Sequence, residues 1–181
     1  MRFGWGMILL CAASVSHATV MLPLDTEQLV GRAHTVVLGT VETQTAHWTP
    51  DHDLIYTEVV VRASRVYKGG AKPGDRIVVR REGGSVDGIG MRVFGAAQFS
   101  VGEEVVIFVE NRGAAAYVVG MAQGKWRVST EPSGRKMVTP NLGEVALLKP
   151  AAHPQAVRPL EEAEAAILAE VKRGKAAKGA R

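Results

Sequence analysis

Leu54-Ile55-Tyr56-Thr57-Glu58-Val59-Val60-Val61-Arg62-Ala63-Ser64-Arg65-Val66-Tyr67 is the stretch on which the reading of this chain turns. Ile55, Thr57, Val59, Val61 and Ala63 alternate with Tyr56, Glu58, Val60, Arg62 and Ser64, so one face is apolar and the other mixed. Period two over such a length is a β signal, because successive side chains of a strand point to opposite faces. Turn chemistry brackets the run, with Pro50-Asp51-His52-Asp53 before it and Lys68-Gly69-Gly70-Ala71-Lys72-Pro73-Gly74 after it.

Working outward, four more strands are expected. Thr35–Thr43 is one, with Gly39 inside it at a position suited to a bend or bulge. Asp75–Glu82 and Glu104–Glu110 follow, and the second of these is apolar on both parities, which places it in the middle of the sheet. Tyr117–Val128 carries two glycines and reads as one strongly bent strand or two short ones. Ahead of them, Asp25 or Thr26 can cap a short helix whose apolar side is Leu29, Val30 and Ala33. Five strands with glycines where the sheet must coil suit a small closed or partly open barrel better than a sandwich of seven or more short strands. The expected fold is mainly β, a five-stranded OB-like barrel with a short N-terminal helix and a C-terminal helix.

Three stretches carry a resemblance. Ala33-His34-Thr35-Val36-Val37-Leu38-Gly39-Thr40-Val41 resembles the A-D-x-V-V/F-x-G-x-V opening of netrin-like modules, the OB-fold domains that include tissue inhibitors of metalloproteases. Val59 to Gly69 is similar to their second strand, which ends in V-x-K-G, and Val101 to Val109 resembles their G-E/K-x-Y/V-L-V-F strand. The pieces fall in the family's order over roughly residues 26–128, and the likeness is to small exported bacterial proteins of this type. It implies the barrel, and an exported protease as a plausible partner. Two departures stand out. His34 replaces the motif's Asp, and the expected mature start Thr19-Val20-Met21 lacks the N-terminal cysteine with which the inhibitors chelate zinc.

The ends read differently from the body. Arg2, the apolar run Met7–Ala13 and Ser16-His17-Ala18 form a signal-peptide pattern over residues 1–18, with cleavage before Thr19. Its apolar run is shorter than the roughly 20 residues that span a bilayer, so the chain is expected to be exported, periplasmic or extracellular, and not membrane-spanning. Residues 19–148 are then the OB-like domain and residues 149–159, with three prolines, an extended linker. A helix is expected over 160–174, with Leu160, Ala163, Ile167, Leu168 and Val171 as its packing stripe and Gly174 as its stop. Residues 175–181 read as a basic disordered tail.

Composition excludes several classes. The 181 residues are 46% hydrophobic and 22% charged, a globular balance, and one cysteine forbids a disulfide framework or a multi-cysteine zinc site. The net charge of +4 is local. Without Arg2 and the five bases of residues 172–181, residues 19–171 hold sixteen bases against eighteen acids, a net −2. The tail is thus a possible weak tether to an anionic envelope, and the domain has no polyanion signature.

Candidate sites follow. His47, Asp51, His52 and Asp53 are weak metal-ligand candidates, since adjacent residues of a turn seldom converge on one ion; the 47–53 segment reads chiefly as a solvated hairpin tip with Trp48 as a contact anchor. Residues 83–98 read as a long, mostly irregular glycine-rich loop without phosphate-loop spacing or a nucleophile elbow. In it, Met91, Arg92 and Phe94 combine adaptable apolar surface with a forked donor, a mix favoured at protein interfaces. Nucleic-acid binding would draw on Tyr56, Tyr67, Trp126, Arg62, Arg65, Arg80, Arg81, Lys125 and Arg127, but aromatics are few and alternating arginines are ordinarily a strand's wet face. Glu82, Asp87, Glu103 and Glu104 lie near turns and form no acid–base pair by spacing. No catalytic residue and no cofactor is assigned. The expected function is an exported, non-catalytic module that binds a protein partner through Trp48, Met91, Arg92 and Phe94, with an exported protease as the partner it would contact or inhibit. A small secreted hydrolase and a polyanion or envelope-surface binder stand as alternatives.

Overall fold

The computed structural model describes residues 20–140, 146–147 and 157–179. The expected signal segment 1–18 and residues 149–156 of the expected linker lie outside the described residues. In chain order the elements are β1 (Val20–Met21), α1 (Thr26–Arg32), β2 (Thr35–Trp48), β3 (Ile55–Lys68), β4 (Arg76–Glu82), β5 (Gly84–Val86), β6 (Ile89–Met91), β7 (Glu104–Arg112), β8 (Ala115–Val118), β9 (Lys125–Thr130), β10 (Lys136–Pro140), β11 (Ala146–Leu147), β12 (Arg158–Pro159) and α2 (Leu160–Gly179). The protein is mainly β with two helices, the N-terminal one short. Among the described residues no helix is long and apolar enough to cross a membrane.

The main sheet runs β12-β10-β9-β7-β2-β3-β4-β8, and β8 pairs a second time, with β7. All its pairings are antiparallel except the single Arg80↔Tyr117 bridge between β4 and β8. The alternation that reads as a strand in the sequence is the β3 register itself, with Val59, Val61 and Ala63 buried and Glu58, Arg62 and Ser64 facing outward. β2 is longer than expected, running five residues past Thr43 to Trp48. It follows β3 by coiling, with register shifts at Val36/Val37, Leu38/Gly39 and Val41/Thr43. Gly39 permits this close coiling, because a Cβ there would sit 2.3 Å from the carbonyl oxygen of Arg62.

β7 is central, as its apolar runs on both parities require. Val105, Ile107 and Val109 join Val37, Val59 and Val79 in one core on the inner face of the coiled strands. Val106 and Phe108 join a second core with Leu29, Trp126, Leu160 and Ile167, which lies beneath the two helices. Phe108 and Trp126 meet edge to face there, with ring centroids 4.7 Å apart.

The helices show why this second core exists. Asp25 caps α1 in a reciprocal box with Gln28, each side chain accepting from the other's backbone N–H. On α2, Leu160, Ala163, Ile167 and Val171 are buried as the stripe predicts, whereas Leu168 faces outward at 51% exposure. Glu164 fastens the helix to β3, accepting from Arg65 at 2.7 Å and from the Tyr67 hydroxyl at 2.6 Å. Burial and that carboxylate both push the Tyr67 phenol far above its ordinary range.

Of the two readings of Tyr117–Val128, the structure has the two short strands, β8 and β9, parted by a glycine-bearing turn. Two expectations at the C-terminal end are corrected. The expected linker ends in β12, which pairs with Met137 and Val138 of β10; at two residues β12 is too short for a periodicity signal. The terminal helix passes Gly174 and continues to Gly179, through the start of the expected disordered tail. One exposed glycine costs a helix only about 1 kcal/mol, which the flanking Lys175, Ala176 and Ala177 can outweigh.

Candidate functional site

The segment 83–98, read from the sequence as mostly irregular, contains a small hairpin. β5 and β6 pair antiparallel through Gly84↔Met91, Ser85↔Gly90 and Val86↔Ile89. The two connecting residues, Asp87 and Gly88, both have positive φ (51° and 78°), as the tightest hairpin turns demand. Gly84, at φ +152°, lies so close to the β2–β3 ribbon that a Cβ would come within 2.6 Å of Thr57 Oγ1. The hairpin is therefore pressed against that ribbon, and the chain after Met91 turns back over the sheet.

This fold-back encloses a cleft of ≈ 350 Å³ lined by Met91, Arg92, Phe94, Arg81, Gln98 and Ala122, among others. Three of the four residues singled out as contacts in the sequence thus line one cavity. The Arg92 guanidinium stacks over the Phe94 ring at 5.2 Å, and the ring is 47% exposed. Trp48 does not line the cleft. It sits at the end of β2, opposite Ile55, against the His52 ring at 5.9 Å.

The cleft has a fixed wall. Lys125 Nζ donates to the Gln98 carbonyl at 2.7 Å and to Glu103 Oε1 at 2.6 Å, and Glu103 also accepts from Arg127 and from the Ser100 backbone N–H. Burial alone favours neutral Lys125 and pulls its pKa down against the stabilising Glu103 contact. Burial also opposes ionisation of Glu103, but donation from Lys125 and Arg127 outweighs it and holds the carboxyl below its ordinary value. Backbone bonds from Ala122 to the Gly95 carbonyl and from Ala96 to the Val93 carbonyl complete the anchoring.

Arg81 is the site residue that sequence reasoning did not assign to a partner site. Ile77, Val79 and Arg81 share the inward face of β4, so the guanidinium extends the apolar row beyond Val79 into the cleft. Its Nε is buried and makes no hydrogen bond. Removal from water pushes the Arg81 pKa down, and among the described residues no neighbouring carboxylate offsets the effect. The signal was present in the alternation, which puts Arg81 on the core parity; its lack of an acid partner is a property of the fold.

The weak metal candidates are dispersed. His47 belongs to β2, stacked on Tyr56 at 5.5 Å and 4.0 Å from Glu58, while the turn itself spans residues 49–54. Asp51 is held below its ordinary pKa chiefly by hydrogen bonding from Thr49. Among the described residues no group of three or more His, Cys, Asp or Glu is placed to hold a metal ion. The basic face is likewise tied up: Glu58 holds Arg80 at 3.0 Å, Glu42 holds Arg62 and Arg76, and Lys125 and Trp126 are core residues. His34 accepts from the Asn111 N–H through Nδ1 at 3.3 Å, a bond that ties the junction of α1 and β2 to β7.

No protein-family model matches this sequence, and neither a curated protein nor a solved structure is detectably similar to it.

Proposed function

We propose that this chain is a non-catalytic binding module on an OB-like barrel of the netrin-like type, and that it grips a protein partner at the cleft under Met91, Arg92 and Phe94. The observation that carries the reading is the convergence of those three side chains with Arg81 on a single pre-anchored cavity. Its lining offers guanidinium and amide donors beside apolar surface, and among the described residues it includes no imidazole, hydroxyl or carboxylate side chain to serve as nucleophile or general base. The double pairing of β8, antiparallel to β7 and parallel to β4, supports the barrel. Trp48, half-buried on the adjoining ribbon, is a second contact. The N-terminal signal pattern supports export, and the netrin-like resemblance makes an exported protease the partner to test first.

The test is affinity capture from envelope and culture fluid of the producing organism, comparing the full chain with the Arg92→Ala/Phe94→Ala variant. At least tenfold less of a captured protein, at an unchanged melting temperature, is the expected result. Equal capture by a folded double variant would place the contact elsewhere.

A further inference from the structure

Arg81 stands apart from the other arginines of β3, β4, β7 and β9. Arg62, Arg65, Arg76, Arg80, Arg112 and Arg127 each meet a carboxylate. Arg80, its neighbour in β4, is both held by Glu58 and stacked on Tyr56 at 4.4 Å. Arg81 pairs with no acid among the described residues, and its Nε is shut away from solvent without a partner. With one donor buried and unmet and no acid beside it among the described residues, the Arg81 guanidinium carries an uncompensated charge on the cleft it lines, which an anion entering there would neutralise.

The cavity narrows what that anion is. Its polar lining is Arg81, Arg92 and the Gln98 amide, while Met91, Val93, Phe94, Ala96 and Ala122 supply apolar surface within the same ≈ 350 Å³. That volume sits at the small end of ligand pockets, which begin near ~300 Å³, and suits a group the size of a terminal residue or two. A planar guanidinium matches a carboxylate as a two-point fork, whereas a phosphate carries more charge and more acceptors than this half-apolar lining answers. A peptide's last residue carries its carboxylate and its side chain on one carbon, so both fit into one compact cleft.

We infer that the cleft is a receptor for the free C-terminus of a peptide whose last residue is apolar, with Arg81 taking the carboxylate and Met91 and Phe94 flanking the side chain. This rests on the proposed binding role of the same cleft and specifies its ligand. The site is preformed: the Lys125–Gln98 and Ala122–Gly95 bonds fix its wall before any ligand arrives, so little ordering is lost on binding.

Calorimetric titration of the full chain with N-acetyl tetrapeptides ending in Leu, Phe or Val tests the inference. The comparison ligands are the same peptides as C-terminal amides, an amidated peptide with Asp in last place, and inorganic phosphate. At least one free-acid peptide should bind, its amide at least tenfold more weakly. Arg81→Gln should lose at least tenfold in affinity and Arg81→Lys less, since a point charge keeps attraction but not the fork. Arg81→Met should melt no lower than the parent chain, which separates loss of binding from loss of fold. Equal affinity for acid and amide, full affinity of Arg81→Gln, or no binding by any free-acid peptide would overturn the inference. Equal binding of the amidated Asp peptide would overturn the terminal assignment, and phosphate binding as tightly would overturn the carboxylate. Should every peptide fail while protein capture still depends on Arg92 and Phe94, the binding role stands and only its ligand is wrong; failure of both removes the role as well.

Discussion

Lys125 Nζ lies 2.6 Å from Glu103 Oε1, and the lysine side chain has no solvent exposure at all. The pair joins the first residue of β9 to the turn before β7, and through the Gln98 carbonyl it fixes the loop that walls the cleft. Removing one partner strands the other's charge in the interior, at a cost of about 3–5 kcal/mol. Glu103→Gln is expected to lower stability by that order in a denaturant titration, and Lys125→Met/Glu103→Gln to recover part of the loss. A single variant as stable as the parent would show the pair to be dispensable.

The same carboxylate makes stability depend on acid. Its folded pKa lies below the ordinary 4.5, so between the two values the unfolded chain binds more protons than the folded one. The contribution of Glu103 is therefore complete above about pH 4.5 and is lost as pH falls through the folded value. Melting temperatures measured from pH 7 to pH 3 should fall most steeply below that point, and less steeply in Glu103→Gln. Parallel curves for the two proteins would assign acid sensitivity to other groups.

Ile167 and Leu168 are neighbours on α2 with opposite roles, one wholly buried and the other 51% exposed. Ile167→Ala should cost about 2–5 kcal/mol, as large-to-small changes in packed cores do. Leu168→Ala should stay within about 0.5 kcal/mol. Equal effects from the two would mean that α2 does not dock on this face in solution.

At Gly39 the backbones of β2 and β3 come so close that the Arg62 carbonyl stands where a Cβ would need room. Gly39→Val forces the two backbones apart or breaks the bulge, and an overpacking loss of about 1–3 kcal/mol is expected in thermal or denaturant melts. Gly70→Ala, where a Cβ meets nothing within 4 Å, is the control and should be close to neutral.

Local pattern carried much of this protein. The alternation at Ile55–Ala63, the two-parity apolar run of β7 and the Asp25 cap are readable because each depends on near neighbours in the chain. The Asp87-Gly88 pair is a hairpin signal too, but the strands beside it have only three residues each, too few for an alternation to support it. Met91, Arg92 and Phe94 could be chosen by residue type, since apolar and forked side chains in a glycine-rich stretch already suit a contact.

Other features were decided by tertiary structure. Glu103 reaches Lys125 across 22 positions, and Glu164 reaches Arg65 across 99, so no window of sequence reveals which arginine or lysine is neutralised. Lys125 and Arg127 look alike in sequence, yet the first is core and the second is surface. Arg81 is the sharpest case. The sequence determined that it stands on the inward parity of its strand, because alternation is a property of the backbone. Only the folding of residues 91–98 back over the sheet decided that it would be roofed, dry at Nε and without an acid, because electrostatic partnership is set by distance in space and not by distance along the chain.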